Sequence, residues 1–96
     1  MVIRSVRHKG LSRLLVDNDP RFVKSDLVSR VRKILTVLVL AEDIDSFVAD
    51  APPGWRLHRL TGDRQDVWSV SVSGNWRITF KELDGYIDRL NLEDYH

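Results

Sequence analysis

The sequence predicts an α+β fold, with N-terminal helices packed on one face of a mainly antiparallel β-sheet. Three observations predict it. Apolar residues recur with helical period between Leu11 and Val48, they alternate with period two from Trp68 onward, and Pro52-Pro53-Gly54 separates the two regimes. At 96 residues, 43% hydrophobic and 30% charged, the chain has material for one core. Residues 1–96 are therefore read as a single domain of marginal stability, about 5–10 kcal/mol.

Each element has a local reason. Val2, Ile3 and Val6 predict a short opening strand. Leu11, Leu14 and Leu15, spaced i, i+3 and i+4, predict a first helix, which Asp17-Asn18-Asp19-Pro20 stops. Ser25 is read as the N-cap of a longer helix whose buried face is Leu27, Val31, Ile34, Leu35 and Leu38. Arg30 and Lys33 fall away from that face. Ile44, Phe47 and Val48 mark a third, short helical turn that the double proline ends. Trp55 to Leu60 reads as a strand, followed by a loop at Thr61-Gly62-Asp63-Arg64. Trp68, Val70 and Val72 alternate with serines, and Trp76, Ile78 and Phe80 alternate with Asn75, Arg77 and Thr79. Ser73-Gly74-Asn75 turns between these two strands, and Asp84-Gly85 turns into a last strand from Tyr86 to Leu92. Trp68 and Trp76 share the parity of the apolar residues around them, so both are read as core and not as a base-stacking platform.

Composition excludes several classes of function. No apolar run approaches the ~20 residues that span a bilayer, and Ile34 to Ala41 is the longest. The first residues lack the apolar stretch of a signal peptide, so a cytoplasmic chain is expected. The absence of cysteine removes disulfides, thiolate nucleophiles and Cys-containing zinc sites. Only His8, His58 and His96 are imidazoles, and no metal or cofactor is expected; the one combination with ligand chemistry is His58, His96 and Asp94. No Gly-rich phosphate loop, Gly-x-Ser-x-Gly elbow or His-Glu-x-x-His pair occurs.

The net charge of +1 hides blocks: +6 over residues 1–40, −4 over 41–53, +3 over 54–81 and −4 over 82–96. Eleven of the fifteen basic residues are arginine, whose planar fork suits phosphate better than a lysine point charge. Alternating blocks also describe an ordinary solvated surface.

The remaining polar groups suit metal-free RNA cleavage. That reaction needs a base for the 2′-hydroxyl proton, cations around the phosphate and an acid for the departing 5′-oxygen. His58 projects from the predicted strand with Arg56 on its own side. Arg77 lies on the polar face of the Trp76-Ile78-Phe80 strand, and Asp94-Tyr95-His96 places a carboxylate, a phenol and an imidazole in a row.

Four blocks resemble the HigB-type host-inhibition toxins of the RelE superfamily: Ile3 to Leu11, Leu57 to Arg64, Trp68 to Phe80, and Glu93-Asp94-Tyr95-His96. They occur in family order and span nearly the whole chain, with residues 16–53 loosely similar. The resemblance implies a RelE-like fold, helices packed on a curved sheet, and a ribosome-dependent mRNA endonuclease that cuts A-site codons on the 30S subunit. It implies neutralisation by a helix-turn-helix antitoxin of the HigA type, with operator DNA contacted only through that antitoxin. Carried over by position, His58, Arg77, Asp94, Tyr95 and His96 are the catalytic set. Arg56, Thr61 and Arg64, close by in the sequence, are expected to bind substrate. The basic first half then becomes a candidate surface for ribosomal RNA, with Arg4, Arg7, Lys9, Arg13, Arg30, Arg32 and Lys33. One position departs from the pattern: where relatives commonly carry lysine, this chain has Thr61, which donates a hydrogen bond but brings no charge. That departure supports an alternative reading, a catalytically weakened relative acting mainly as antitoxin partner and operon co-regulator.

Overall fold

A computed structural model describes residues 1–94, and Tyr95 and His96 lie outside the described residues. The chain order is β1 (Val2–Ile3), α1 (Lys9–Asp17), α2 (Val28–Leu40), α3 (Ile44–Asp50), β2 (His58–Arg59), β3 (Trp68–Ser73), β4 (Trp76–Leu83) and β5 (Tyr86–Asp94). The five strands form one sheet in the order β1-β5-β4-β3-β2. β1 runs parallel to β5, and every other pairing is antiparallel.

One core joins the two layers. Val31, Ile34, Leu35 and Leu38 of α2, Leu11 and Leu14 of α1 and Phe47 of α3 meet Val70, Val72, Ile78, Phe80, Ile87, Leu90 and Leu92 of the sheet. The Phe47 ring packs edge-on against Phe80, centroids 6.0 Å apart. Trp68 and Trp76 are half-buried against this core, as their parity requires.

Local chemistry sets the helix ends. His8 caps α1 by accepting from the Leu11 amide at 3.2 Å, and Asn18 ends that helix in the left-handed conformation (φ 54°). Asp43 caps α3 through the Ser46 amide at 2.8 Å. The α-amino group of Met1 donates to the carbonyls of Leu38, Val39 and Ala41, satisfying acceptors that the C-terminus of α2 leaves open. Ser25 is not an N-cap. It opens a 3₁₀ turn, Ser25–Leu27, that leads into α2, and no side chain caps either start. Leu27, the last residue of that turn, is buried at 1% exposure.

The strand expected from Trp55 to Leu60 shrinks to His58–Arg59. Pro53–Trp55 forms a 3₁₀ turn and Arg56 takes φ 50°, which breaks the pleat. Arg56 and His58 therefore do not share a strand face by alternation.

Both predicted hairpins form with two-residue turns. Asp84 and Gly85 have φ 52° and 83°, the primed geometry that matches strand twist, while Gly74 alone has positive φ in the first turn. Two bulges bend the sheet, one near Val72 and one in β5. In the second, Thr79 pairs with Asn91 but Lys81 pairs with Asp88, so β5 carries an extra residue there. Arg89 lies in that bulge at φ 54°, a conformation that costs a non-glycine residue about 1 kcal/mol.

Candidate functional site

Register sets which side chains share the sheet face turned away from the helices. His58 pairs with Ser69, Ser69 with Thr79 and Thr79 with Asn91, giving one polar row across four strands. The next row is Ser71, Arg77 and Glu93. Strands lie about 4.8 Å apart, so His58 stands about 10 Å from Thr79 along its row. Arg59 alternates to the other side and stacks over Trp68, 5.0 Å from the ring centroid.

The left-handed turn at Arg56 has a chemical consequence for His58. Nδ1 of His58 lies 2.6 Å from the Arg56 carbonyl oxygen. A carbonyl only accepts, so Nδ1 carries the proton, and in the neutral ring Nε2 keeps its lone pair on an exposed edge. The backbone of Arg56, not its side chain, orients the imidazole.

Across the sheet, a cleft of about 210 Å³ is lined by Arg7, Asp63, Arg64, Asp66, Thr79, Lys81, Arg89, Asn91 and Glu93, among others. Glu93 is its hub. Both of its oxygens receive Arg64, at 3.0 and 2.6 Å, and the Thr79 hydroxyl donates to it as well. The Arg64 hydrogen bonds hold the Glu93 carboxyl below its usual range, against the opposing effect of burial. This pair ties the loop after β2, which carries Thr61, to the end of β5, which carries Asp94.

A carboxylate held low contributes stability above its unfolded-state pKa and loses it as pH falls through the folded-state value. The Glu93→Gln variant is therefore expected to melt below the parent at neutral pH, with the gap closing below about pH 4. Thermal melts across pH test this, and a gap independent of pH would show that the Glu93 charge is not what stabilises.

Other expected residues sit as follows. Arg77 is half-buried, and its Nη1 donates to the carbonyls of Gly74 (2.9 Å) and Trp76 (3.2 Å), anchoring the guanidinium beside the hairpin turn. Thr61 is exposed and precedes a 3₁₀ turn, Gly62–Arg64, without capping it. Asp94 is exposed at the end of β5, pairs with Trp76 and alternates with Glu93. The predicted roles of Tyr95 and His96 lie outside the described residues.

The basic residues of the first half do not form one patch. Arg7 lines the sheet cleft. Arg4 pairs with Asp88 at 2.5 Å, and Arg13 covers the Phe22 ring at 5.2 Å. Lys9 is exposed at the start of α1. Arg32 donates to Asn18, and Arg30 donates to the Val72 carbonyl at 2.8 Å, closing a sheet edge. Arg30 and Lys33 line a separate cleft with Trp55 and Ser71.

Reading from sequence passed over Glu93, Thr79, Asn91, Lys81 and Arg89 as site residues. Alternation carried a signal for Thr79 and Lys81 opposite Ile78 and Phe80, and for Asn91 and Glu93 opposite Leu92. Nothing local announced Arg64 as their partner.

Residues 4–96 match the family described as the RelE-like toxin of the type II toxin–antitoxin system HigB. The chain is 37% identical over 95 residues to the endoribonuclease HigB of Proteus vulgaris, covering 99% of this chain and 100% of that protein. In structure it is similar to YafQ from E. coli, with TM-score 0.54 and 13% identity, and to a histidine-to-glutamine mutant of YafQ, with TM-score 0.56 and 14% identity. Each alignment covers 92% of this chain and 88% of the other, and at such identities the likeness speaks to the fold.

Proposed function

This chain belongs to the HigB-like, RelE-like toxins of type II toxin–antitoxin systems, and from that premise we propose that it is a ribosome-dependent endoribonuclease cutting mRNA in the A site. The observation that carries the chemistry is the contact between His58 Nδ1 and the Arg56 carbonyl. With Nδ1–H held by the Arg56 carbonyl, Nε2 is the basic nitrogen, and it takes the proton of the 2′-hydroxyl. The freed 2′-oxygen attacks the adjacent phosphorus, the O2′–P bond forms and the P–O5′ bond breaks. A 2′,3′-cyclic phosphate and a 5′-hydroxyl result, the latter taking its proton from an acid assigned to His96. Arg77 spends Nη1 on the turn carbonyls and has further N–H donors for the charge building on the phosphate. The register sets Asp94 on the Trp76 face, opposite Arg77 and Glu93, so its part in the centre, like that of Tyr95, rests on the family resemblance; Arg56, Thr61 and Arg64 flank the centre.

The toxin works in the cytoplasm, bound and silenced by a HigA-type helix-turn-helix antitoxin, through which alone it meets operator DNA. Arg4, Lys9, Arg13, Arg30, Arg32 and Lys33 are the cations offered to ribosomal RNA, in more than one patch, while Arg7, first grouped with them, lies in the sheet cleft. Such contacts weaken with added salt because each neutralised phosphate releases counterions.

The deciding experiment maps cuts in a defined mRNA by primer extension in a bacterial translation extract, with and without active ribosomes. Cuts confined to translated message and in frame are expected. Intact message from folded protein in both arms would favour the weakened, antitoxin-binding relative instead. In the same assay Thr61→Lys is expected to raise cleavage by about 10–10³-fold, the worth of one preorganised cationic donor. An unchanged rate would mean that another cation already fills that place.

A further inference from the structure

We propose that Arg7 and Arg89 form a second phosphodiester-binding site, a clamp on the RNA strand apart from the cleavage centre. The inference rests on the ribonuclease reading and adds a subsite to it.

The cleft holds four cations and three acids: Arg7, Arg64, Lys81 and Arg89 with Asp63, Asp66 and Glu93. Two of the cations are engaged, Arg64 with Glu93 and Lys81 with Asp66 at 3.1 Å. Arg7 and Arg89 carry no side-chain hydrogen bond or ion pair among the described residues, and both are exposed. Asp63, on the loop, is the one acid of the lining outside those pairs, so the cleft keeps a positive excess. Both side chains line the cleft beside Glu93 and Asp66.

Backbone geometry brings the two arginines together. The Arg7 amide donates to the Leu90 carbonyl at 2.7 Å, and the Leu90 amide donates to the Ser5 carbonyl at 3.1 Å. Arg7 and Arg89 therefore flank the same residue of β5. Arg89 occupies the bulge at positive φ, with its amide held by the Ser5 hydroxyl at 2.8 Å. Bulges re-aim side chains, and this one leaves Arg89 in the lining of the cleft. Thr79 and Asn91 supply polar groups in the same lining.

The occupant follows from size and charge. About 210 Å³ is below the roughly 300–1,000 Å³ of small-molecule pockets, and it suits a phosphate group bridged by two arginine forks. The cleft lies on the sheet face that also carries His58 and Arg77, so a strand crossing that face presents its backbone to both places.

The test uses the whole chain and a 2′-O-methyl RNA of about ten nucleotides, which lacks the attacking hydroxyl and cannot be cut. Arg7→Gln with Arg89→Gln is expected to weaken binding about 10-fold or more and to lower the salt slope by about 1.4, two single-strand contacts. Arg21→Gln is the control, because Arg21 pairs with Asp19 in the loop after α1. Arg89→Gly keeps the left-handed backbone without its steric cost, so it is expected to melt no lower than the parent while binding RNA more weakly. Wild-type affinity and slope in the double variant would overturn the clamp while leaving the ribonuclease reading intact. A parent chain that neither binds this RNA nor cuts message overturns both. Loss of antitoxin capture with RNA binding intact would hand the cleft to an acidic protein segment and also overturn the clamp.

Discussion

Replacing His58 by alanine is expected to lower mRNA cleavage by about 10²–10⁴-fold, the usual worth of a positioned general base. The argument is geometric. His58 is one of two residues in β2, its pairing with Ser69 sets its face, and the Arg56 carbonyl sets its tautomer. His58→Ala deletes the basic nitrogen and leaves the core untouched, because the side chain is exposed. The variant should melt close to the parent and still be captured by its antitoxin, while expression alone no longer arrests growth. Primer extension on translated message measures the loss. Cleavage within a few-fold of the parent would remove His58 from the reaction and leave the base to be sought elsewhere.

The largest effect on stability is expected from Gly10→Ala. A Cβ at that position would meet the Phe22 carbonyl oxygen at 2.1 Å, the Phe22 carbonyl carbon at 2.7 Å and His8 Cε1 at 2.8 Å. Two of these atoms are backbone, so relief requires α1 to move away from the segment leading into α2. His8, which caps α1, is displaced by the same change. Overpacking of this kind costs about 3 kcal/mol, a large part of the margin of a domain this size. A fall in melting temperature of about 10–25 °C is expected. An unaltered melt would mean that the close approach is not a fixed feature of the native state. Gly10 sits in the Lys9-Gly10-Leu11 block that carried part of the family resemblance, and the contact supplies a packing reason for glycine there.

What could be read without the structure follows from local rules. The α2 face is an example: Leu27, Val31, Ile34, Leu35 and Leu38 are all buried, because a 3.6-residue period leaves one stripe to cover. Asp84-Gly85 is another, since two positive φ values in succession strongly favour such residues. His58 and Arg77 were placed by residue type and resemblance, and the sheet register sets both on one face.

Other features depended on groups far apart in the chain. Ser25 has the chemistry of an N-cap, but the chain enters α2 through a 3₁₀ turn whose last residue, Leu27, is buried in the core. Trp55 to Leu60 has strand composition, but the left-handed Arg56 bends the backbone toward its contact with His58. Glu93 looked like a neighbour of the Asp94-Tyr95-His96 run until Arg64 was found across from it, 29 residues away.

The sequence by itself determined the fold class, the helix faces, the hairpin turns and the family, because period, turn chemistry and ordered motifs are properties of short segments. Tertiary structure alone decided the contact that orients His58, the Arg64–Glu93 pairing and the placing of Arg7 and Arg89 in one cleft. Each depends on strand register, a bulge or a carbonyl direction. Those are settled only when the whole core closes and the remaining polar groups must find partners or face water.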